Sequence, residues 1–285
     1  MPFTTTGGPT IYYETTGDSA NPPIVPISGA GAQLIWWRDE VVQRLLDHGL
    51  FVIRFDNRDV GLSAKIGGPT DVGHAYDVRD MANDICRVLD ALGVGSAHIV
   101  GQSLGGAIAQ TMAINHPERV RSMVLFYTIP AFDMRYATEW LQESVLGATV
   151  PGASVETPDR AQIIEEFFGR ELNTRSTTYA FDAAWMRDYV TQCVDRGYCP
   201  GGNVRQVQAA MRLGDLGPAL KQLSLPAAVI HGREDRMLKV QAGFDLAQLI
   251  PDAELHIYPG MGHEFPRPLW DEFADIIART TQRAA

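Results

Sequence analysis

His98-Ile99-Val100-Gly101-Gln102-Ser103-Leu104-Gly105-Gly106-Ala107 is the stretch from which both the fold and the chemistry can be read. Residues 98–100 form a short apolar run that reads as a buried strand. The small residues Gly105, Gly106, Ala107 and Ala109 then open a helix able to lie close against neighbouring strands, and Pro117 marks where that helix has stopped. Between them, Gly101-Gln102-Ser103-Leu104-Gly105 matches Gly-x-Ser-x-Gly, in which small flanking residues allow a sharp strand-to-helix turn that leaves the serine hydroxyl exposed. With glycine and serine each near 7%, roughly one chain in ten of this length would contain the pattern by accident, so its placement between strand and helix is what gives it weight. The free N–H groups of the helix start also point toward any negative charge that develops beside Ser103.

The same alternation extends in both directions. Upstream, residues 11–14 open as a strand and residues 23–27 form a buried strand running into Ser28-Gly29-Ala30-Gly31. A helical stretch with Trp37, Val41 and Leu45 ends at Gly49, and residues 51–55 are the next strand. Asp77 is a natural N-cap for a helix whose apolar face carries Val78, Met81, Ile85, Val88 and Leu92. Residues 121–126 read as a strand, after which the alternation breaks for about 90 residues, far longer than an ordinary connection. Four helical apolar faces fall in that stretch: Met134, Ala137, Leu141 and Val145; Ile163, Ile164, Phe167 and Phe168; Trp185, Tyr189 and Cys193; and Val204, Val207 and Met211. Alternation resumes with strands at 227–231 and 255–258 and helices around 241–249 and at Leu269, Phe273 and Ile276. This order predicts a mostly parallel twisted sheet flanked by helices, with residues 1–128 and 222–285 as an α/β core and 129–221 as a helical cap.

A serine hydroxyl is a weak nucleophile until a base removes its proton, so a base and an orienting carboxylate are expected further along. His263 follows the last strand in the flexible Gly260-Met261-Gly262-His263 loop, which can bring an imidazole to the carboxyl edge of the sheet. Asp235 lies in the turn Gly232-Arg233-Glu234-Asp235 after the strand at 227–231, with Glu234 as an adjacent competitor. The order serine, acid, histidine fits, with Asp235 fixing the tautomer of His263. Of the remaining histidines, His98 and His256 fall inside strands, His48 and His116 near helix ends, His74 in a loop and His231 at a strand end, which reads mostly as structural. Two backbone donors are needed for a tetrahedral oxyanion, and Leu104, after the nucleophile, and Ala30, in the glycine-flanked loop of an earlier strand, occupy those places.

Several other classes are excluded. The Gly29 to Gly31 turn fails as a dinucleotide fingerprint because Leu34 replaces the third glycine, and no Walker lysine or His-Glu-x-x-His zinc motif occurs, so no cofactor or metal is expected. The formal charge is -10, from 34 acidic and 24 basic residues, with no basic stripe for a nucleic acid to follow. No apolar run approaches membrane-spanning length, and Met1-Pro2-Phe3-Thr4 lacks a secretory layout, so no membrane partner and a cytoplasmic location are expected. Three cysteines make no scaffold; Cys86 reads as a buried thiol, and a small-loop Cys193–Cys199 disulfide is disfavoured in a reducing cytosol.

These residues resemble the α/β-hydrolase superfamily over nearly the whole chain, the middle of the cap apart. Residues 54–63, from Arg54 through Asp56, Arg58, Asp59 and Gly61 to Ser63, look like the family's Asp-x-Arg-x-x-Gly-x-Ser turn and read as structural. This turn, the Gly-Met-Gly-His loop and the cap residues around 185–195 are similar to the branch of aclacinomycin methyl esterase-like carboxylesterases, although Ser28-Gly29 stands where many relatives begin with His-Gly. The resemblance implies a cap inserted after the sixth strand, and hydrolysis of a carboxylic ester or lactone of a small to medium, largely apolar molecule. Serine at 103 argues against haloalkane dehalogenases and epoxide hydrolases, which attack with aspartate. Carbon–carbon hydrolases and cofactor-free perhydrolases share the three side chains, and a non-catalytic ligand receptor can stand on the same fold. Trp36, Trp37, Trp140, Phe167, Phe168, Tyr179, Trp185 and Met211 are the candidates for an apolar pocket between cap and core.

Overall fold

The computed structural model describes residues 2–68, 71, 73, 75–143 and 159–284. Seven strands form one sheet: β1 (Tyr13–Thr16), β2 (Pro23–Ile27), β3 (Phe51–Phe55), β4 (Ala97–Gln102), β5 (Val120–Phe126), β6 (Ala227–Gly232) and β7 (Glu254–Tyr258), in the spatial order β1-β3-β2-β4-β5-β6-β7. Only β1 runs antiparallel, against β3, and every other pairing is parallel. The interior strands are apolar on both faces because both are covered by helices. Along β3, Val52 joins the core beneath α1 (Asp39–Asp47) and α10 (Trp270–Gln282). The next residue, Ile53, joins the opposite core beneath α2 (Val78–Ala91) and α3 (Leu104–Asn115). Val124 and Leu125 on β5 divide between the two cores in the same way.

Local signals hold where they were strongest. Asp77 caps α2 through a full capping box, accepting from Arg79 N at 2.7 Å while Asp80 accepts from Asp77 N at 2.9 Å. The opening strand shifts two residues later than its apolar residues suggest, and Ile11 is a core residue just before it. Five strands precede the long helical stretch, which therefore follows the fifth strand and not a sixth. What would have been an extra N-terminal strand is reduced to a single bridge between Phe3 and Tyr12.

That stretch carries α4 (Glu139–Leu141), α5 (Arg160–Thr174), α6 (Ala183–Gly197), α7 (Pro200–Met211) and α8 (Gly217–Leu220), and α9 (Gln241–Leu249) follows β6. The first apolar face is not a helix over Met134 and Ala137. Ala137 pairs with Leu238 as an isolated bridge, Thr138 N donates to Met237 O, and Met134 is exposed, so pairing with the segment after β6 overrides the helical spacing. Val145 lies outside the described residues, as does His74. On α5 and α6, Ile164, Phe167, Tyr189 and Cys193 pack together as read. On α7 the buried face is Arg205, Gln206, Gln208 and Ala209, while Met211 is exposed.

The polar face of α7 is buried because the turn of residues 56–63 supplies its partners. Arg205 makes a two-pronged pair with Asp59, at 2.6 and 2.9 Å, with side chains 1% and 0% exposed. Arg196 of α6 reaches Asp56 at 2.7 Å, and Gln206 Nε2 donates to Arg58 O. Removing one member of a buried pair strands the other charge, which costs about 3–5 kcal/mol. Urea unfolding should therefore show Arg205→Met destabilised by about that much, with Asp59→Asn restoring part of the loss when combined with it.

All three cysteines are free and buried, and burial pushes the Cys86 thiol up to about 11 and that of Cys193 to about 12. Thiolate is the reactive form. The native protein should react sluggishly with a chromogenic disulfide reagent near pH 8, and all three thiols should react at once after denaturation.

Candidate active site

The turn from β4 into α3 is built by the absence of side chains. A Cβ on Gly101 would stand 2.2 Å from the Gly105 carbonyl oxygen, and one on Gly105 would stand 2.3 Å from that of Ile27. Nothing larger than glycine lets α3 start this close to β4 and β2. Ser103, the N-cap of α3, is held at φ 53, ψ -120, a conformation that costs a non-glycine residue of order 1–3 kcal/mol. Its carbonyl is fixed by the Thr128 hydroxyl at 2.7 Å and its N–H by Phe126 O at 3.0 Å.

Three loops at the carboxyl edge of the sheet bring the remaining groups together. Ser103 Oγ lies 3.0 Å from His263 Nε2, and His263 Nδ1 lies 2.7 Å from Asp235 Oδ2. An ionised carboxylate only accepts, so Nδ1–H donates to Asp235 and Nε2 is left to accept from the Ser103 hydroxyl. The other Asp235 oxygen accepts from Met237 N at 2.7 Å and Leu238 N at 2.9 Å. Burial by itself would raise the Asp235 carboxyl. The charge of His263 and the hydrogen bonds from His231 and His263 outweigh it and hold the group well below the usual carboxylate range. Glu234 points elsewhere, exposed and bonded to the Thr177 hydroxyl. The His263 loop is tied down by His263 N donating to Thr174 O at 2.9 Å and Gly262 N to the Ser176 hydroxyl at 3.0 Å.

The loop with Ala30 is held from three sides. Gly31 N donates to Gln206 Oε1 at 2.8 Å, Leu34 N to Asp56 Oδ1 at 2.8 Å, and Asn57 Nδ2 to Ser28 O at 3.2 Å. Gly29 sits against Ser103, where a Cβ would come within 3.3 Å of the serine Cβ. Among the described residues no acceptor takes the N–H of Ala30 or of Leu104.

Two cavities, of ≈ 110 and ≈ 100 Å³, meet at Ser103, His263, Ala30, Val207 and Met237. The first carries polar and aromatic groups: Trp36, Gln102, Phe167, Glu171, Tyr189 and Asn203. The second is hydrocarbon, with Leu104, Phe132, Leu141, Leu213 and Leu238. Of the aromatic candidates, Trp36 and Phe167 reach these cavities. Trp37 is instead a core residue beneath β2 and β5, Tyr179 packs on that same core, Phe168 packs beside Phe181, and Trp185 lines a separate cleft with Trp270 and Arg267. Trp140 and Met211 line neither cavity. Sequence reasoning missed Val207, Met237, Tyr127 and Gln102. Tyr127, at the carboxyl end of β5, lies over the His263 ring with centroids 4.6 Å apart, and carboxyl ends of parallel strands are the general signal that would have found it. Among the described residues no cluster of three or more His, Cys, Asp or Glu is placed to hold a metal ion, and no helix is long and apolar enough to cross a membrane.

A parallel sheet with a serine on its central turn and a histidine and carboxylate delivered by later loops is the layout of a hydrolase fold. Residues 22–266 match the family model described as alpha/beta hydrolase fold, and the chain belongs to that family. It is 40% identical to the rhodomycin D methylesterase DauP of Streptomyces sp. (strain C5), the match covering 96% of each chain. It is also 27% identical to a 2-hydroxy-6-oxononadienedioate/2-hydroxy-6-oxononatrienedioate hydrolase of Burkholderia vietnamiensis, over 89% of this chain and 84% of that one. Among solved structures, a carboxylesterase structure from Nitrososphaera gargenis has the same fold, with a TM-score of 0.76 at 22% identity over 99% of both chains.

The depressed Asp235 carboxyl has a signed consequence. A carboxylate whose folded value lies below its unfolded value of about 3.9 adds stability that is complete above that value and is lost as pH falls toward the folded one. Urea titrations should show the margin by which wild type is more stable than Asp235→Asn shrinking as the pH falls below about 4.

Proposed function

We propose that the protein is a serine hydrolase that cleaves a carboxylic ester or lactone of a small to medium, largely apolar molecule through an acyl-enzyme. The observation that carries this reading is the continuous chain of two hydrogen bonds from Ser103 through His263 to Asp235, beside the N–H groups of Ala30 and Leu104, which no acceptor takes among the described residues. His263 Nε2 takes the Ser103 proton as Oγ bonds to the ester carbonyl carbon. The carbonyl electron pair becomes an oxyanion, held by the N–H groups of Ala30 and Leu104. As the intermediate collapses, the bond to the alcohol oxygen breaks and His263 returns the proton to that oxygen. Water then gives a proton to His263 and adds its oxygen to the acyl carbon, and as the bond from that carbon to Oγ breaks, His263 returns the proton to Oγ, which frees the acid and restores Ser103. Asp235 stays ionised throughout and steadies the imidazolium. Residues 129–221 act as a helical cap that roofs the two cavities.

The Streptomyces relative, a methylesterase by name, supports ester cleavage. A carbon–carbon hydrolase or a perhydrolase would use the same side chains, so a screen of p-nitrophenyl acyl esters, lactones and a meta-cleavage diketone separates them. Ester or lactone turnover is the expected result. Ser103→Ala, His263→Ala and Asp235→Asn should each lower kcat by orders of magnitude with the fold intact by circular dichroism. A fluorophosphonate probe should label Ser103, and labelling at another residue, or binding of esters without turnover, would overturn the reading.

A further inference from the structure

Gln102 stands immediately before Ser103, 2% exposed, at the end of β4. Its Oε1 accepts from Trp36 Nε1 at 2.8 Å and from the Tyr127 hydroxyl. An indole N–H can only donate, so the end of the carboxamide that faces Trp36 is the oxygen and the opposite end is the NH₂. That nitrogen is buried and, among the described residues, has no hydrogen-bond partner, and the side chain lines the cavity shared with Ser103 and His263. Its clamps are themselves wedged: Trp36 packs edge-on against Tyr189 and Tyr127 lies over His263. The carboxamide is therefore a donor fixed in the wall of that cavity, where an unmade hydrogen bond is costly and a ligand oxygen that reached it would complete it. Glu171, the carboxyl in the same cavity, is drawn toward Arg170, 3.7 Å away.

Resting on the acyl-transfer reading, we propose that Gln102 is a specificity-determining residue whose Nε2 donates to an oxygen acceptor on the substrate, a ketone, ether or hydroxyl close to the scissile ester. The preferred substrates are then oxygen-bearing esters: the acceptor enters the cavity with Gln102, and a hydrocarbon portion fills the cavity lined by Phe132, Leu141 and Leu213.

Two matched pairs test this, one placing the oxygen in the acyl half (methyl levulinate against methyl pentanoate) and one in the alcohol half (methoxyethyl pentanoate against butyl pentanoate). The readout is the kcat/KM ratio within each pair for wild type, Gln102→Met and Gln102→Glu. The glutamate keeps an acceptor for Trp36 and Tyr127 while deleting the donor, and the methionine deletes the donor without adding a charge. In one pair, wild type should favour the oxygen-bearing ester about tenfold more than either variant does, the discrimination a neutral hydrogen bond supplies. Turnover of the esters with ratios that are the same in wild type and both variants overturns the Gln102 assignment alone. No turnover of any of the four by wild type, with no fluorophosphonate labelling of Ser103, overturns the acyl-transfer reading and this assignment with it.

Discussion

The Asp56 carboxylate is the joint on which the site's geometry depends. Fully buried, it accepts from Leu34 N, Leu62 N and Arg196, and so links the loop that carries Ala30, the turn after β3 and helix α6. Burial raises this carboxyl, while Arg196 and the two amides pull it back without fully offsetting the desolvation. Asp59 differs: its bonds from Arg205 and Ile66 N outweigh its burial and lower it. The two aspartates together fasten the helices over Ser103 by directional polar contacts, whereas the sheet below is held by apolar packing on both faces.

Strain at Ser103 is tolerated because the surroundings leave it no alternative. The glycines at 101 and 105 bring α3 against two strands, and Thr128 and Phe126 hold the serine's own peptide groups. The hydroxyl is thereby set within hydrogen-bond distance of His263. Pre-setting these groups removes reorganisation from the reaction itself.

Much of this was legible because it is local. The Gly-x-Ser-x-Gly turn, the Asp77 cap and the strand-helix alternation are each decided by residues within a few positions of one another, and the order of Ser103, Asp235 and His263 follows from where strands end. The geometry between Asp235 and Glu234 needed the turn itself, in which the backbone N–H groups of 237 and 238 pull Asp235 inward. Helix α7 was misread for a clear reason: Arg205 is buried through Asp59, 146 positions away, which no local window of apolar spacing contains. The aromatic candidates divided similarly, since hydrophobicity marks Trp36 and Trp37 alike, yet only the former faces the cavity.

The long span of the two aspartate–arginine pairs bears on how the chain is made. Asp56 and Asp59 leave the ribosome well before their counterions, Arg196 and Arg205, which follow 140 and 146 residues later. Until then, folding the first five strands to completion would enclose two carboxylates without those partners, a cost that opposes early burial of the turn after β3. Contacts at such separation slow folding, and here they link distant parts of the chain: the loop that carries Ala30, tied to Asp56 and Gln206, gains its full set of partners only once α6 and α7 have been synthesised.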